Sequence, residues 1–275
     1  MNASETFVQI NDTNNSFQDD AFAMLGSFTS IGGAFEFWTI GSANGAKQNH
    51  KYLTEITGRP PMPPISSLGF HYSKYEENSA DLMIARNEEF TAKGFPVDVF
   101  WSDLYYTEQF EYFVFNYETW PIDKVEELNR AIGLSKRRLV MINDPHIKVS
   151  EDYFVYSEGM AIQNGPQDPN NVKNIFILNP DAKTPFVAKC WPGYSQWIDY
   201  LNSNAADFWG SLYARNKFVG SNYLYGTWND MNEPSVFKDS LEIDQLGMPM
   251  NNTHITEKGQ VVEHRWVHNA YGALM

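Results

Sequence analysis

Residues 223–237, YLYGTWNDMNEPSVF, crowd two carboxylates and two amides into five consecutive positions: Asn229, Asp230, Asn232 and Glu233 around Met231. Trp228 precedes the cluster and Pro234 closes it. The apolar and aromatic run Tyr223-Leu224-Tyr225, followed by Gly226 and Thr227, reads as a strand whose end carries hydrogen-bonding groups out of the core. Acids held against a tryptophan suit the cleavage of glycosidic bonds, which takes one ionised carboxyl group and one that donates a proton. A cap or turn is the competing reading, because Asn and Asp favour both places. The density of polar and aromatic groups favours catalysis. A retaining enzyme of this kind separates its carboxyl groups by about 5–5.5 Å on either side of the bond. Asp230 and Glu233, neighbours on one strand end, are poorly placed to bracket it, so a partner carboxyl is expected from elsewhere in the fold. Amides beside Asp230 can keep it ionised by hydrogen bonding, and Trp228 supplies an apolar wall.

The elements that must position this stretch repeat along the chain. Residues 65–73 (ISSLGFHYS) read as a strand. Asn78-Ser79 caps a helix over 80–93, closed by Gly94 and Pro96. Residues 97–101 (VDVFW) form the next strand, ending in Ser102-Asp103. An aromatic insertion spans 105–120, read as a packed insert rather than a sugar platform. Pro121 opens a second helix with Val125, Leu128 and Ile132 on one stripe, and Lys136-Arg137-Arg138 follow it as the dipole prefers. Residues 139–142 form a third strand, ending in Asn143-Asp144-Pro145-His146. A long excursion over 148–190 contains a local strand at 174–178. A third helix is expected from Ile198, Leu201, Ala205, Phe208 and Leu212, and the opening stretch is the fourth strand. Strand and helix alternate, so the sheet is parallel. Polar tips at the C-terminal ends of the strands, and no Gly-rich phosphate turn, suit a (β/α)8 TIM-type barrel better than an open sheet. About its first four strands are present, so the barrel is incomplete.

Ahead of this unit, residues 1–60 read as a polar tail and the remnant of a β-rich N-terminal domain. Residues 1–20 are rich in Asn, Ser and Asp, a hairpin turns at Gly32-Gly33, a short helix covers 51–58, and the prolines of 59–64 form a stiff connector. The domain boundary falls near residue 60, with 61–275 as the barrel half. The last residues, 268–275, look like a helix that has only begun, as in a piece of a longer protein. Four strands alone would leave two sheet edges unpaired, so residues 1–275 by themselves are expected to be unstable and inactive.

Composition narrows the partners. A net charge of −14 argues against nucleic acid and anionic membrane surfaces. No apolar run reaches the length of a membrane span, and no signal peptide opens the chain. Eight Trp, fifteen Tyr and nineteen Phe suit a core, and also the stacking of aromatic rings on pyranose faces. The single cysteine, Cys190, cannot form an internal disulfide and reads as a small buried apolar residue. Asp144-Pro145-His146 lacks the spacing of a metal site and reads as a structural turn. Glu263, His264 and His268 read as a loop-to-helix junction. No metal or cofactor is expected. Asp103 stands equally as a helix cap or as a ligand of substrate.

Trp228-Asn229-Asp230-Met231-Asn232-Glu233-Pro234 resembles the signature of glycoside hydrolase family 31, the retaining α-glucosidases and their relatives. The resemblance runs from about Leu68 to the end. Asp144-Pro145-His146-Ile147-Lys148, Cys190-Trp191-Pro192-Gly193 and Glu263-His264-Arg265 resemble the N-glycan-trimming members. It implies that Asp230 is the nucleophile and Glu233 a supporting acid. It implies that Asp103 holds the hydroxyls of the terminal sugar, with Trp191, Trp228 and Met231 as pocket wall and Leu104 and Ile142 lining it. The family's acid/base is an aspartate on a later strand. The resemblance further implies an oligosaccharide or N-glycan substrate, a lectin-like regulatory subunit, and the endoplasmic reticulum lumen or another secretory compartment. Two alternatives stand beside it: a β-glycosidase with Glu233 as acid/base, and a sugar-binding homologue without turnover.

Overall fold

The computed structural model describes residues 6–12, 24–30, 38–222, 225–238 and 245–275. β1 (Thr6–Asp12) and β2 (Met24–Ser30) pair antiparallel, Thr6 opposite Ser30 and Asp12 opposite Met24. Part of the polar segment expected as a tail is therefore strand. The ladder is made by backbone groups, which a polar composition leaves free to pair. The turn expected at Gly32-Gly33 lies outside the described residues. α1 (Ala46–Thr57) starts earlier than expected and buries no residue.

The prolines that follow are exposed. Where a strand was expected from residue 65, Ile65–Leu68 instead makes one 3-10 turn, with Ser67 N and Gly69 N bonded back to Pro64 O and Ser66 O. β3 is confined to Phe70–Ser73. α2 (Ala80–Ala92) is capped as its sequence indicates: the Ser79 side chain accepts from Leu82 N at 3.2 Å. Its end is set by Gly94, whose φ of +65° is one that a residue with a Cβ rarely adopts. β4 (Val97–Ser102) follows.

The aromatic insertion folds back as β5 (Thr107–Glu108) and β6 (Glu111–Phe115), and Tyr106, Tyr112, Phe113, Phe115 and Trp120 are buried. Phe113 meets Trp209, Tyr213 and Phe218 edge-on at 5.1–5.5 Å, so the insertion is part of the core. α3 (Ile122–Leu134) seals Val125, Leu128 and Ile132 completely, each worth about 1.5–3 kcal/mol of burial. The basic run after it does not serve the helix end as expected. Arg137 turns inward and donates to Val97 O, Asn87 O, Asn87 Oδ1 and Thr91 Oγ1 at 2.6–3.0 Å, tying α2 to β4, while Arg138 opens β7 (Arg138–Ile142).

β8 (His146–Lys148), α4 (Phe154–Gln163), β9 (Ala188–Cys190) and β10 (Gly193–Trp197) occupy the excursion. Residues 174–178 make only isolated bridges, so the expected local strand is not a ladder. α5 is Ser203–Leu212, shorter than the expected helix. Asn202 accepts from Asn204 N as its cap, and Asp199 is held by other partners, which excludes Ile198 and Leu201 from the helix.

β11 (Tyr225–Trp228) leads to β12 (Ser235–Phe237) and β13 (Gln245–Gly247), and the hairpin β14 (Thr253–Ile255) with β15 (Val261–Glu263) precedes α6 (Tyr271–Leu274). Tyr223 and Leu224 of the opening stretch lie outside the described residues. Two sheets organise the fold. β11-β7-β4-β3 is wholly parallel, with Ser73 opposite Trp101, Ser102 opposite Met141 and Trp228 opposite Ile142. β13-β12-β9-β10-β8 is antiparallel, and its strands β8 and β12 start just after the tips of β7 and β11.

Candidate active site

Parallel pairing in this register brings the C-terminal ends of β4, β7 and β11 to one edge, and each ends in an acid: Asp103, Asp144 and Asp230. The tips are bonded to one another. Asn143 N donates to Trp228 O at 3.0 Å, and the Tyr106 hydroxyl reaches Ile142 O at 2.8 Å and Asn143 Oδ1 at 2.9 Å.

Asp103 caps the short turn Leu104–Tyr106, accepting from Leu104 N at 2.7 Å. It is half-buried all the same, and its carboxyl is raised, first by burial and then by the charge of Asp230, against the Leu104 N–H that lowers it. The cap and the ligand readings of Asp103 are thus compatible: the Leu104 N–H occupies Oδ1.

Trp228 packs edge-on against Trp101 at 5.5 Å, and the Trp101 Nε1–H donates to His71 Nδ1 at 2.9 Å. His71 Nε2 in turn reaches Ser66 O at 3.1 Å. This line from β3 fixes the wall behind Asp230. Met231 is buried with φ +55°, a left-handed conformation that is uncommon for a side chain of this size. Asn232 is pinned from behind: its Nδ2 reaches Gly272 O at 3.5 Å, and a Cβ at Gly272 would lie 2.9 Å from Asn232 O. Glu233 is exposed on the turn beyond. Trp191 stacks edge-on with Phe237 at 5.1 Å and meets Phe110 at 6.4 Å, so it belongs to an aromatic cluster of the antiparallel sheet. Leu104 and Ile142 are buried in the hydrophobic core.

The segment read as a structural turn bends at Pro145 between β7 and β8, and it also holds a buried acid. Asp144 is fully buried, and the Tyr112 hydroxyl bonds its Oδ2 at 2.5 Å and His146 Nε2 at 3.0 Å. Its carboxyl is pushed up to about 8, above all by burial; the Tyr112 hydrogen bond opposes this, and the charges of Asp230, Asp103 and Glu233 add to it. Burial holds His146 down to about 3, so its ring is neutral and its 3.8 Å approach to Asp144 is no ion pair. Burial likewise raises the Cys190 thiol, which fits an inert apolar residue. The signal available in the sequence was the recurrence of an acid just past an apolar strand, the pattern of Asp103 and Asp230; Pro145 made it look like a turn.

Glu263 and His264 do form a junction, and an internal chain runs through it. Asp199 Oδ1 meets His254 Nδ1 at 2.6 Å, His254 Nε2 meets His264 Nδ1 at 2.9 Å, and His264 Nε2 meets His268 Nδ1 at 2.9 Å. Among the described residues no group of three or more His, Cys, Asp or Glu is arranged to hold a metal ion. No helix of the described residues is long and apolar enough to cross a membrane.

Residues 60–275 match the model of the glycosyl hydrolases family 31 TIM-barrel domain. Neutral alpha-glucosidase C of Mus musculus is 34% identical over 223 residues, which are 81% of this chain and 22% of that protein. Glucosidase 2 subunit alpha of Schizosaccharomyces pombe is 32% identical over 227 residues, 82% of this chain and 22% of that protein. Among solved structures, the glucosidase II alpha subunit bound to alpha3-Glc2 superposes with a TM-score of 0.75 at 28% identity, covering 99% of this chain and 28% of that one. The same subunit in a heterodimeric complex with the binding domain of a regulatory subunit gives a TM-score of 0.72 at 29% identity, with the same coverage. This chain spans about a quarter of the length of these relatives.

Proposed function

The chain belongs to glycosyl hydrolase family 31, and from that premise we propose that it carries the nucleophile half of a retaining α-glucosidase site. The observation that carries the proposal is the convergence of Asp103, Asp144 and Asp230 on one edge of a parallel sheet, within the signature Trp228–Pro234 for the last. Acids at the C-terminal ends of barrel strands are where this architecture places catalysis. The tryptophan wall, buttressed through Trp101 and His71, supports a sugar-sized site beside Asp230.

In this reading Asp230 attacks the anomeric carbon of a terminal α-linked glucose while the leaving oxygen takes a proton, forming a covalent glycosyl ester. Water then attacks that carbon, the ester breaks, and two inversions restore the α configuration. The proton donor is an aspartate on a later strand, as the family resemblance implies, so none of Asp103, Asp144 and Glu233 holds that role. Asp103 and Asp144 bind the sugar hydroxyls. Met231, Trp191 and Trp228 form the wall, with Leu104 and Ile142 beneath it, and Glu233 supports the turn. A β-glycosidase with Glu233 as acid/base is less favoured, because Glu233 is exposed while such a donor works from an enclosed site.

Likeness to the probable glucan 1,3-alpha-glucosidase of Arabidopsis thaliana, at 32% identity, supports α-1,3-linked glucose as the substrate linkage. N-glycans, a lectin-like regulatory subunit and the endoplasmic reticulum complete the proposal, supported by the likeness to the heterodimeric glucosidase II. Residues 1–60 are read as the end of a β domain and 61–275 as the N-terminal half of the barrel. The test is hydrolysis of α- and β-linked nitrophenyl glucosides by the full-length protein, with the anomer of the first product followed by NMR. Release of α-glucose from the α-substrate alone is expected. Cleavage of the β-substrate, release of β-glucose, or binding without turnover would overturn the proposal.

A further inference from the structure

Asn251-Asn252-Thr253 is a motif that the reaction scheme leaves without a task. It is an Asn-x-Thr frame with no proline in its middle or directly after it, the frame in which asparagine accepts an N-linked oligosaccharide in a secretory compartment. The frame lies on the connection between β13 and β14, where Asn252 N bonds back to Pro249 O at 3.0 Å and closes a β-turn. Met250 and Asn251 are the central residues of that turn. Its backbone is anchored on both sides of Asn251: Arg265 N donates to Met250 O at 3.0 Å, and His264 N donates to Asn252 O at 2.7 Å.

The fold itself uses two of the three residues. Asn252 is buried, and its Nδ2 reaches Met248 Sδ at 3.1 Å. Thr253 is buried as well; its hydroxyl donates to Asn179 O at 2.9 Å, and its backbone exchanges two hydrogen bonds of 2.9 Å with Leu178. Asn251 has no such work. Its side chain is exposed, and among the described residues nothing hydrogen-bonds to it. Asn171, equally exposed, shows the contrast, since its Oδ1 accepts from Asn204 Nδ2 at 2.8 Å. A turn of this kind accepts Asp, Ser or Gly as readily as Asn. Turn chemistry therefore explains a small polar residue at position 251, whereas an asparagine two residues ahead of a threonine, held on an exposed turn, is what glycan attachment needs.

We infer that Asn251 is a modification site that carries an N-linked oligosaccharide. This rests on the reading of the protein as one of a secretory compartment. In the transfer, Asn251 Nδ2 attacks the anomeric carbon of an oligosaccharide held on a lipid pyrophosphate. The new C–N bond replaces the C–O bond to the pyrophosphate, which leaves with that electron pair, and Nδ2 gives up one proton. The fold also sets the timing. The acceptor frame is read through the Thr253 hydroxyl together with Asn251. In the folded protein that hydroxyl is bonded to Asn179 O, and Thr253 is bridged to Leu178. The transfer thus precedes closure of the Leu178–Thr253 bridge. Once the bridge has closed, the glycan extends from an exposed turn and displaces no hydrogen bond of the fold.

The experiment takes the full-length protein from its own cells and treats it with peptide N-glycosidase in heavy-oxygen water, which turns each glycosylated asparagine into a labelled aspartate. Mass spectrometry of the tryptic peptide 239–258 is expected to find the label at residue 251 in most molecules, and none at residue 252, which opens no frame. Asn251→Gln is expected to remove the mass of one glycan from the intact protein and to shift its gel mobility accordingly. Protection from added protease in sealed vesicles, lost when detergent opens them, reports the compartment independently. Asn2, Asn11 and Asn14 open the same frame near the start of the chain and serve as internal comparisons. An unlabelled 239–258 peptide from protected protein overturns the inference and leaves the compartment standing, as does an Asn251→Gln variant of unchanged mass. Protein that the protease digests in sealed vesicles indicts the secretory reading, and the inference falls with it.

Discussion

Replacing Asp144 by Asn is expected to stabilise the protein. The carboxyl rises from 3.8 to about 8 in the fold, chiefly because it is buried, so between those values the folded state holds a proton that the unfolded chain has lost. Stability then falls as pH rises through that window, by about 1.4 kcal/mol per pH unit. At pH 7 the accumulated cost is roughly 4 kcal/mol, a large share of the ~5–15 kcal/mol that holds a domain together. His146 and His264 act in the opposite sense, held at about 3 and about 2 by burial. Each takes up a proton on unfolding below its ordinary 6.5, so their stabilisation is present above that value and lost as pH falls. Two histidines outweigh one carboxyl below 6.5, and the carboxyl acts alone above it. The stability of the parent is therefore expected to peak near the histidine value of 6.5. The amide introduced by Asp144→Asn keeps an oxygen for the Tyr112 hydroxyl and a nitrogen that donates at every pH. Urea denaturation of the full-length protein across pH 5–9 is expected to show the alkaline decline flattened and a gain at pH 7 of up to roughly 4 kcal/mol, less about 1–3 kcal/mol for leaving the new amide donors unpaired beside the unpartnered Oδ1 position. An Asn variant less stable at pH 7 than its parent, or one with the same alkaline slope, would refute the argument.

Other consequences concern single residues. Asp103→Ala is expected to reduce kcat/KM roughly 100-fold or more, about 3 kcal/mol, because the hydroxyls that Asp103 is proposed to bind are left unpaired; near-normal kinetics would reduce Asp103 to a cap. Gly272→Ala puts a Cβ 2.9 Å from Asn232 O, against backbone that follows Asp230. It is expected to cost about 1–3 kcal/mol of stability and to lower kcat roughly 10- to 100-fold, and a full-speed variant would show that the turn is not held from behind. His264→Gln leaves His146 and Asp144 opposed, so the parent's acid-side decline of about 1.4 kcal/mol per pH unit is expected to vanish between pH 4 and 6.5 in chemical denaturation.

What the sequence revealed and what it hid divide by range. The α2 helix was legible because its signals are local: Ser79 at its start, Gly94 past its end and an apolar strand close behind. The order of parallel strands and their acidic tips followed from the same period, so Asp103 and Asp230 were found together with the edge they share. The antiparallel sheet was not legible. Its strands are three to five residues long and pair across distances such as Phe237 with Lys189 and Ser195 with Lys148, which no local pattern announces. The surroundings of Asp144 were not legible for a related reason: they are set by Tyr112, 32 positions away, and by carboxylates on other strands. Arg137 was read only as part of a basic run after a helix, because its partners Asn87 and Val97 lie 50 and 40 positions upstream.

Chemical trapping of the nucleophile tests the central claim most directly. A fluorinated α-glucosyl substrate that forms the ester but hydrolyses slowly, incubated with the full-length enzyme and followed by peptide mass spectrometry, is expected to leave its sugar on Asp230 alone. Asp230→Asn is expected to take up no label and to lose turnover while still binding glucose, since the amide keeps the shape without the attacking oxygen. A stable label on Glu233, Asp103 or Asp144, or an Asp230→Asn variant that still turns over, would contradict it.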